Sequence, residues 1–133
     1  MKKILPYFGI AIVAGVIVFG VQGGRTNEFI NQDVLSISAV LDVEGKRYEI
    51  SLSQGSTVHE LMLAAKGQYD FQFSGREFPG MGFFIEEING LGQNSRAGKY
   101  WIYYINGRKA EVGISTYIVQ KNDVISWKYE DEE

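Results

Sequence analysis

The amino-terminal apolar run limits the fold of this chain more than any other feature of its sequence. Residues 4–21 form a stretch of 18 residues without a charged side chain, and Lys2 and Lys3 precede it. As a helix, this stretch would extend about 27 Å at about 1.5 Å per residue, close to a bilayer core of about 30 Å. The run therefore predicts a membrane segment over residues 1–24 and leaves enough length for one domain in a chain of 133 residues.

Two interpretations of residues 1–24 stay open, an uncleaved transmembrane anchor and a cleaved signal peptide. A signal peptide carries an apolar region of about 7–15 residues before its cleavage site, so the longer run here favours the anchor. Gly20 would end a weak cleavage site. In both cases the positive-inside rule holds the lysines in the cytoplasm. We expect a single-pass protein of the cell membrane with its carboxyl-terminal domain outside the cytoplasm, or a secreted protein if cleavage occurs.

The rest of the chain divides into a stalk, a domain and a short tail. Residues 25–33 are polar and lack periodicity, which predicts a stalk. From Val34 the apolar residues alternate with polar ones, which is typical of a half-buried strand. Alternation continues in segments as far as residue 130, so we expect the domain over residues 34–130. Residues 131–133 are all acidic and predict a solvated tail.

The first elements of the domain read as a hairpin and a helix. Glu44-Gly45 predicts the turn of a hairpin between strands at residues 34–43 and 47–52. Thr57 and Glu60 have the spacing of a capping box, which predicts a helix of about ten residues. Gly67 suits the position just after its end. The apolar residues of the helix recur at helical spacing and predict its buried stripe: Val58, Leu61, Met62 and Ala65.

Further strands follow the helix and complete the fold class. Turns are predicted at Asn89-Gly90 and Asn106-Gly107, and residues 91–98 read as a polar loop. The alternating segments that predict strands are residues 69–73, 83–88, 99–105, 109–112, 117–119 and 124–129. One amphipathic helix covers one face of a mixed sheet, so we predict an α+β, two-layer domain of β-grasp-like architecture.

Composition excludes several kinds of site. The chain has no cysteine and one histidine, His59, so disulfides, thiolate metal sites and sites with two histidines are excluded. We interpret His59 as an exposed surface residue and predict no metal site, no catalytic residues and no enzyme activity. The formal charge of −3 gives no reason to expect nucleic acid as a partner.

The later part of the chain resembles the transcobalamin C-terminal-like domain family, most bacterial and archaeal members of which have no assigned function. The resemblance spans residues 34–130, includes the capped helix, and departs at Asn122, where the family usually has glycine. Asparagine also tolerates a left-handed turn, so this departure disturbs little. The segments that carry the resemblance are Gly82-Phe83-Phe84-Ile85, Ile88-Asn89-Gly90, Tyr100-Trp101-Ile102-Tyr103-Tyr104-Ile105-Asn106-Gly107, Gly113 and Asp123-Val124-Ile125-Ser126-Trp127-Lys128-Tyr129.

This resemblance implies a β-grasp-like fold on the outside of a membrane. In vitamin B12 carriers of the transcobalamin kind, the related domain caps cobalamin against a larger helical domain. No such helical domain is present in this sequence, so the resemblance implies at most half of a cobalamin site. It implies no cofactor, with a corrinoid possible only as a ligand.

The aromatic block at residues 100–105 is the predicted binding surface. Alternation puts Tyr100, Ile102 and Tyr104 on one face of a strand and Trp101, Tyr103 and Ile105 on the other. One helix covers only one sheet face, so we expect some of these rings to be partly exposed. The predicted ligand-binding residues are Phe84, Tyr100, Trp101, Tyr103 and Asn106.

Two functions follow from this block. The first is a membrane-anchored, extracytoplasmic binding module for a small ring ligand such as a corrinoid. The alternative is a module that binds a protein or glycan of the cell envelope and has no small-molecule pocket. The predicted partners are the membrane, through residues 4–21, and either a small ligand or an envelope protein.

Overall fold

The computed structural model describes residues 35–132. The predicted anchor or signal peptide, the stalk, Val34 and the last residue of the tail lie outside the described residues. Within residues 35–132, no helix has the length and hydropathy needed to cross a bilayer. The elements, in chain order, are β1 (Ser36–Val43), β2 (Lys46–Ser53), α1 (Val58–Gln68), β3 (Phe73–Phe78), β4 (Gly82–Ile88), β5 (Leu91–Gly92), β6 (Lys99–Ile105), β7 (Arg108–Lys109) and β8 (Val124–Asp131).

The first hairpin is confirmed. β1 and β2 pair antiparallel, and Val43 lies opposite Lys46 beside the turn. Glu44 and Gly45 have φ values of 51° and 88°, the left-handed pair that a two-residue hairpin turn requires. The inward residues of both strands are buried, as the alternation predicts.

The capped helix is also confirmed, but it ends later than the sequence indicates. Thr57 Oγ1 accepts from the N–H of Glu60 at 3.2 Å, and the Glu60 carboxylate accepts from the N–H of Thr57 at 2.7 Å. The predicted stripe is buried. Gly67 lies inside the helix, because the N–H of Tyr69 still donates to the carbonyl of Ala65 before the chain becomes extended. The prediction that Gly67 follows the helix is therefore wrong.

The main sheet has five strands in the order β2-β1-β8-β6-β7. β1 and β8 run parallel, and the other neighbours run antiparallel. This sheet is mixed and carries one helix on its inner face, which confirms the predicted α+β, two-layer fold class. α1 packs against β1 and β2, so it covers only part of that face.

A second, smaller sheet covers the part of the inner face next to β6 and β8. It has the order β3-β4-β5 and was not predicted from the sequence. Trp101 Nε1 on β6 donates to the Leu91 carbonyl at 2.7 Å, and the Tyr129 hydroxyl on β8 donates to the Gly92 carbonyl at 3.0 Å. These bonds join the inner face of the main sheet to β5, which lies within the segment predicted as a loop.

Two of the predicted strands are wrong in extent. Asn106 and Gly107 form the expected turn, with φ values of 51° and 83°. The return strand ends at Lys109, because the chain then crosses the inner face and buries Ile114. After α1 the chain is not in a strand until Phe73, although Phe71 is fully buried.

Asp123 is the buried carboxylate that fixes the start of β8. It is 5% exposed and accepts from Asn106 Nδ2 at 2.8 Å, from the Tyr117 hydroxyl at 2.9 Å and from the N–H of Gln120 at 2.8 Å. Each donor comes from a different turn or loop position. The predicted strand at residues 117–119 is only a single bridge, between Ile118 and Thr57.

Candidate functional site

A cleft of about 220 Å³ lies between β4, β6 and the segment that follows β7. The helix leaves this part of the inner face uncovered, and the small sheet covers it only in part. The residues that line the cleft are Phe83, Phe84, Ile85, Trp101, Ile102, Tyr103, Ala110, Gly113, Ile114 and Trp127. Apart from the Tyr103 hydroxyl and the Trp indoles, its lining side chains are hydrocarbon.

Cross-strand aromatic pairs build the inner wall of the cleft. Trp101 lies opposite Tyr129, and Tyr103 lies opposite Trp127. The ring centroids in each pair are 5.2 Å apart. Such tilted pairs stabilise neighbouring strands beyond the area that they bury.

The rim of the cleft is an exposed apolar surface. Phe84 on the rim is 50% exposed, and its ring lies edge-on to Phe78 at 6.1 Å. Met81 is 79% exposed and Val112 is 44% exposed. Because Gly113 approaches the carbonyl of Met81, the β3–β4 turn and the segment after β7 meet at this rim. We name Phe78, Met81, Phe84 and Val112 the apolar rim.

One buried polar atom beside the cleft has no partner. Trp127 is 3% exposed, and its Nε1 makes no hydrogen bond with any described residue. Most buried donors in folded proteins are satisfied, so an unpaired indole N–H calls for an explanation. Because this atom is itself buried, an acceptor in the cleft would reach it only if neighbouring side chains moved.

Tyr103 is held in its neutral form. Its hydroxyl donates to the carbonyl of Val112. Burial, with a smaller contribution from nearby Tyr117, raises the pKa of Tyr103 to about 12. Burial also raises the pKa of Tyr117, as does its hydrogen bond to the Asp123 carboxylate. The Tyr103 hydroxyl is therefore a hydrogen-bonding group at neutral pH and a poor proton acceptor.

Alkaline titration tests this environment. The pKa of Tyr103 in the fold exceeds the ordinary value of 10.0, so the stability that it contributes is present below pH 10 and lost as the pH rises through about 12. We expect the tyrosinate absorbance of the full chain to show a component near pH 12 that Tyr103→Phe removes and Phe84→Leu leaves in place. A titration that Tyr103→Phe does not change above pH 11 or so would contradict the burial of this hydroxyl.

The structure brings three of the five predicted ligand residues to the cleft, namely Phe84, Trp101 and Tyr103. Tyr100 lies on the outer face of β6 opposite Glu130, away from the cleft. Asn106 also lies elsewhere, since its amide donates to Asp123 and accepts from the N–H of Val124 at 2.8 Å. The half-burial of Tyr100 and Tyr104 agrees with the expected partial exposure of some of the rings.

Sequence reasoning missed Trp127, Ile114 and most of the apolar rim. Trp127 had a usable signal, because it shares a strand face with Ile125 and Tyr129. The sequence carries no such signal for Ile114 and Val112, since they lie in a segment without regular structure.

His59 is not the exposed residue that the sequence predicts. Its ring stacks on Phe83 with centroids 4.4 Å apart and planes 14° apart, and Phe73 lies edge-on at 6.0 Å. The helix start therefore packs on β4 through this ring. The sequence did not indicate this contact between His59 and Phe83, because β4 belongs to the sheet that the sequence did not predict.

Comparison with known proteins identifies the family. The family described as a domain of unknown function, DUF4430, matches residues 55–131, which include α1, the cleft and β8. The chain belongs to this DUF4430 family. None of the curated proteins matches it.

Two solved structures share the fold of this DUF4430 chain. Haptocorrin in complex with Cbi matches with a TM-score of 0.59 and 22% identity over 72% of this chain. A protein of Ruminococcus gnavus, described as a candidate metal-binding protein, matches with a TM-score of 0.53 and 10% identity over 74% of this chain. These likenesses, with the family match, confirm the transcobalamin C-terminal-like domain.

The two structures differ in how much of them the DUF4430 chain spans. The match covers 26% of the haptocorrin chain and 98% of the Ruminococcus gnavus chain. Within residues 35–132, no three His, Asp or Glu side chains lie close enough together to hold a metal ion.

Proposed function

We propose that this chain is a binding module that holds part of a small ring-shaped ligand in the cleft between β4 and β6. The observation that carries the proposal is the combination of aromatic walls and an exposed apolar rim in one concave place. Ligand sites in proteins are typically concave and apolar with a few convergent polar groups. Phe84, Trp101 and Tyr103 are the residues that we assign to the ligand.

The volume of the cleft limits how the ligand sits. About 220 Å³ is below the range of about 300–1,000 Å³ in which most small-molecule sites enclose their ligands. A corrinoid ring is too large to enter such a cleft completely. It would rest against the apolar rim and place one edge or side chain inside. The likeness to haptocorrin in complex with Cbi supports this ligand class.

We also propose that the module binds without catalysing a reaction. The cleft is lined by apolar and aromatic side chains, and its one titratable group, Tyr103, has a pKa of about 12. General acid–base chemistry works best when the pKa of the catalytic group lies near the working pH. A group with this pKa suits hydrogen bonding to a ligand.

The location that we propose is the outer side of a cell membrane, with residues 4–21 as the attachment. Support comes from the length and the charge-free composition of that run and from the lysines before it.

Equilibrium dialysis of the full chain in a non-ionic detergent tests the binding proposal. We expect dicyanocobinamide to be retained at one molecule per chain. Phe84→Ala removes the exposed half of a phenylalanine ring from the ligand contact, a loss of about 1–1.5 kcal/mol, so the dissociation constant should rise about tenfold. Leu63→Ala is the matched control, because Leu63 is also 50% exposed but lies on α1.

Two results would overturn the proposal. Failure of the chain to retain cobinamide above the level of detergent alone would remove the corrinoid class. Equal losses of affinity in Phe84→Ala and Leu63→Ala would separate binding from the cleft.

A further inference from the structure

The hydrogen-bond ladder on the cleft side of β6 has a gap that is one residue wide. Successive residues of a strand direct their N–H and C=O groups to opposite edges. The N–H of Asn106 donates to the carbonyl of Val124 at 2.9 Å, so the even-numbered residues of β6 bond to β8. Lys99, Trp101 and Tyr103 therefore direct their backbone groups to the other edge, along which the cleft lies.

Residues of this chain occupy the positions on both sides of the gap. Lys99 exchanges two hydrogen bonds with Asn94, of 2.9 Å and 2.8 Å, and the Tyr103 carbonyl accepts from the N–H of Ala110 at 3.0 Å. Among the described residues, the N–H and the C=O of Trp101 have no hydrogen-bond partner. We name these two groups the Trp101 backbone groups. The space beside them is too short for a strand, but it is long enough for one small polar group.

Tyrosine side chains hold both neighbouring segments away from the gap. If the pairing of β6 with β7 continued in register, Val112 would lie opposite Trp101, but its carbonyl accepts from the Tyr103 hydroxyl instead. On the other side of the gap, Gly92 would be the next residue in register. The carbonyl of Gly92 accepts from the Tyr129 hydroxyl at 3.0 Å. The gap is therefore built into the fold by two specific hydrogen bonds.

The cleft reaches the Trp101 backbone groups. Trp101, Ile102 and Tyr103 line it in succession, although successive side chains of a strand lie on opposite faces. Because Ile102 belongs to the outer face, the cleft extends to the edge of β6 and does not stop at its inner face. Trp101 as a whole is 8% exposed, so bulk water has little access to its backbone groups. Buried backbone groups without partners cost free energy, so a ligand that pairs with both of them is favoured.

A primary carboxamide is the small group that matches one donor and one acceptor side by side. Its oxygen accepts and its nitrogen donates, so it can face the N–H and the C=O of a single extended residue at the same time. A carboxylate has acceptors only, and it would place negative charge against the Trp101 carbonyl. A ketone leaves that carbonyl without a donor. The backbone therefore discriminates between amides and the corresponding acids and ketones.

We propose that the cleft selects ring ligands that carry a primary carboxamide, and that this group forms two hydrogen bonds with the Trp101 backbone groups. The amide oxygen accepts from the N–H of Trp101, and the amide nitrogen donates to the Trp101 carbonyl. The attached ring lies against the aromatic wall and the apolar rim. This inference rests on the ligand site proposed above, and it adds the chemical group that the site recognises.

Amide hydrogen exchange of the isotope-labelled full chain in detergent tests the proposal with three fragments that share one ring. Nicotinamide carries the carboxamide, 3-acetylpyridine has a methyl ketone in its place, and nicotinate has a carboxylate. At about ten times its dissociation constant, nicotinamide should slow exchange of the Trp101 N–H about tenfold. We expect 3-acetylpyridine to bind about fivefold more weakly, because it lacks one hydrogen bond, and nicotinate at least about tenfold more weakly. The N–H of Ile102 is the internal control, because it already pairs with β8.

A change of the backbone alone provides a second measurement. Replacing the N–H of Trp101 with an ester oxygen keeps the indole ring in place, and it should weaken the binding of nicotinamide about fivefold. The same replacement at Glu49 is the matched control, because Glu49 lies on β2 at the opposite edge of the main sheet. It should leave the affinity for nicotinamide unchanged.

Three results would overturn the proposal. They are unchanged exchange at Trp101 with nicotinamide up to its solubility limit, equal binding of nicotinamide and 3-acetylpyridine, and equal effects of the two ester replacements. Retention of cobinamide is measured separately. If cobinamide is retained and the fragments bind equally, the ligand site stands and only its selectivity for amides is wrong. If nicotinamide protects Trp101 and cobinamide is not retained, the corrinoid class is wrong and the carboxamide site stands.

Discussion

Replacing Asp123 with alanine is expected to lower the free energy of unfolding by about 3–5 kcal/mol. The substitution leaves three donors without their acceptor, Asn106 Nδ2, the Tyr117 hydroxyl and the N–H of Gln120. Each unsatisfied buried donor costs about 1–3 kcal/mol, and water entering the space recovers part of that cost. Urea denaturation of the full chain, followed by near-ultraviolet circular dichroism, measures the loss.

Two further variants serve as comparisons for this prediction. Asp123→Asn keeps the shape of the side chain and one acceptor oxygen. Its loss in the free energy of unfolding should therefore be smaller than that of Asp123→Ala, but not zero. Asp70→Ala is the control, because Asp70 is exposed and lies in a loop, and its cost should stay within about 0.5 kcal/mol. A cost for Asp123→Ala as small as that for Asp70→Ala would mean that this hydrogen-bond cluster does not hold the turns before β8.

Gly82→Ala is expected to cost about 2–4 kcal/mol. Gly82 has a φ of 88°, and a Cβ there would lie 2.7 Å from the Cβ of Ser115 and 2.8 Å from its Oγ. Ser115 also holds β4 through its bond to the N–H of Phe83. The substitution therefore strains the backbone and pushes away the segment that forms one wall of the cleft.

Gly80→Ala separates the two sources of this cost. Gly80 has a φ of 76°, but a Cβ there meets nothing within 4 Å. Its cost should be the backbone strain alone, about 1–2 kcal/mol. Both variants are measured by urea denaturation and by cobinamide retention. Equal costs for Gly80→Ala and Gly82→Ala would contradict the close docking of Ser115 on β4.

The parts of the fold that were predictable depend on neighbours in sequence. The capping box at Thr57, the Asn106-Gly107 turn and the alternation along β6 each report a local preference of the backbone or of a strand face. These signals were sufficient for the hairpin, the helix and the aromatic strand. Together with the family resemblance, they led to the correct fold class.

The parts that were missed depend on contacts between distant residues. The small sheet is held by bonds such as that of Trp101 Nε1 to Leu91, and the wall beyond β7 is held by Ser115 on Phe83. Neither a hydrophobic period nor a turn residue in the sequence indicates such contacts. The polar loop at residues 91–98 was therefore not expected to contain β5, and His59 was not expected to stack on Phe83.

The same limit applies to the candidate site. Aromatic alternation selects Trp101 and Tyr103, which line the cleft, but it also selects Tyr100, which faces the other way. Composition cannot tell which face the second sheet covers. Asn106 was selected by its place in a motif, whereas its amide is engaged on both sides within the fold.

Fluorine NMR of the full chain labelled with fluorotryptophan tests the central claim most directly. The chain has two tryptophans, Trp101 and Trp127, and both line the cleft. The spectrum therefore reports on the proposed site alone. Titration with dicyanocobinamide should shift both resonances along one saturable curve, and Phe84→Ala should move its midpoint about tenfold higher. If both resonances stay in place while dialysis shows that the chain retains cobinamide, the ligand binds elsewhere and the claim for the cleft is wrong.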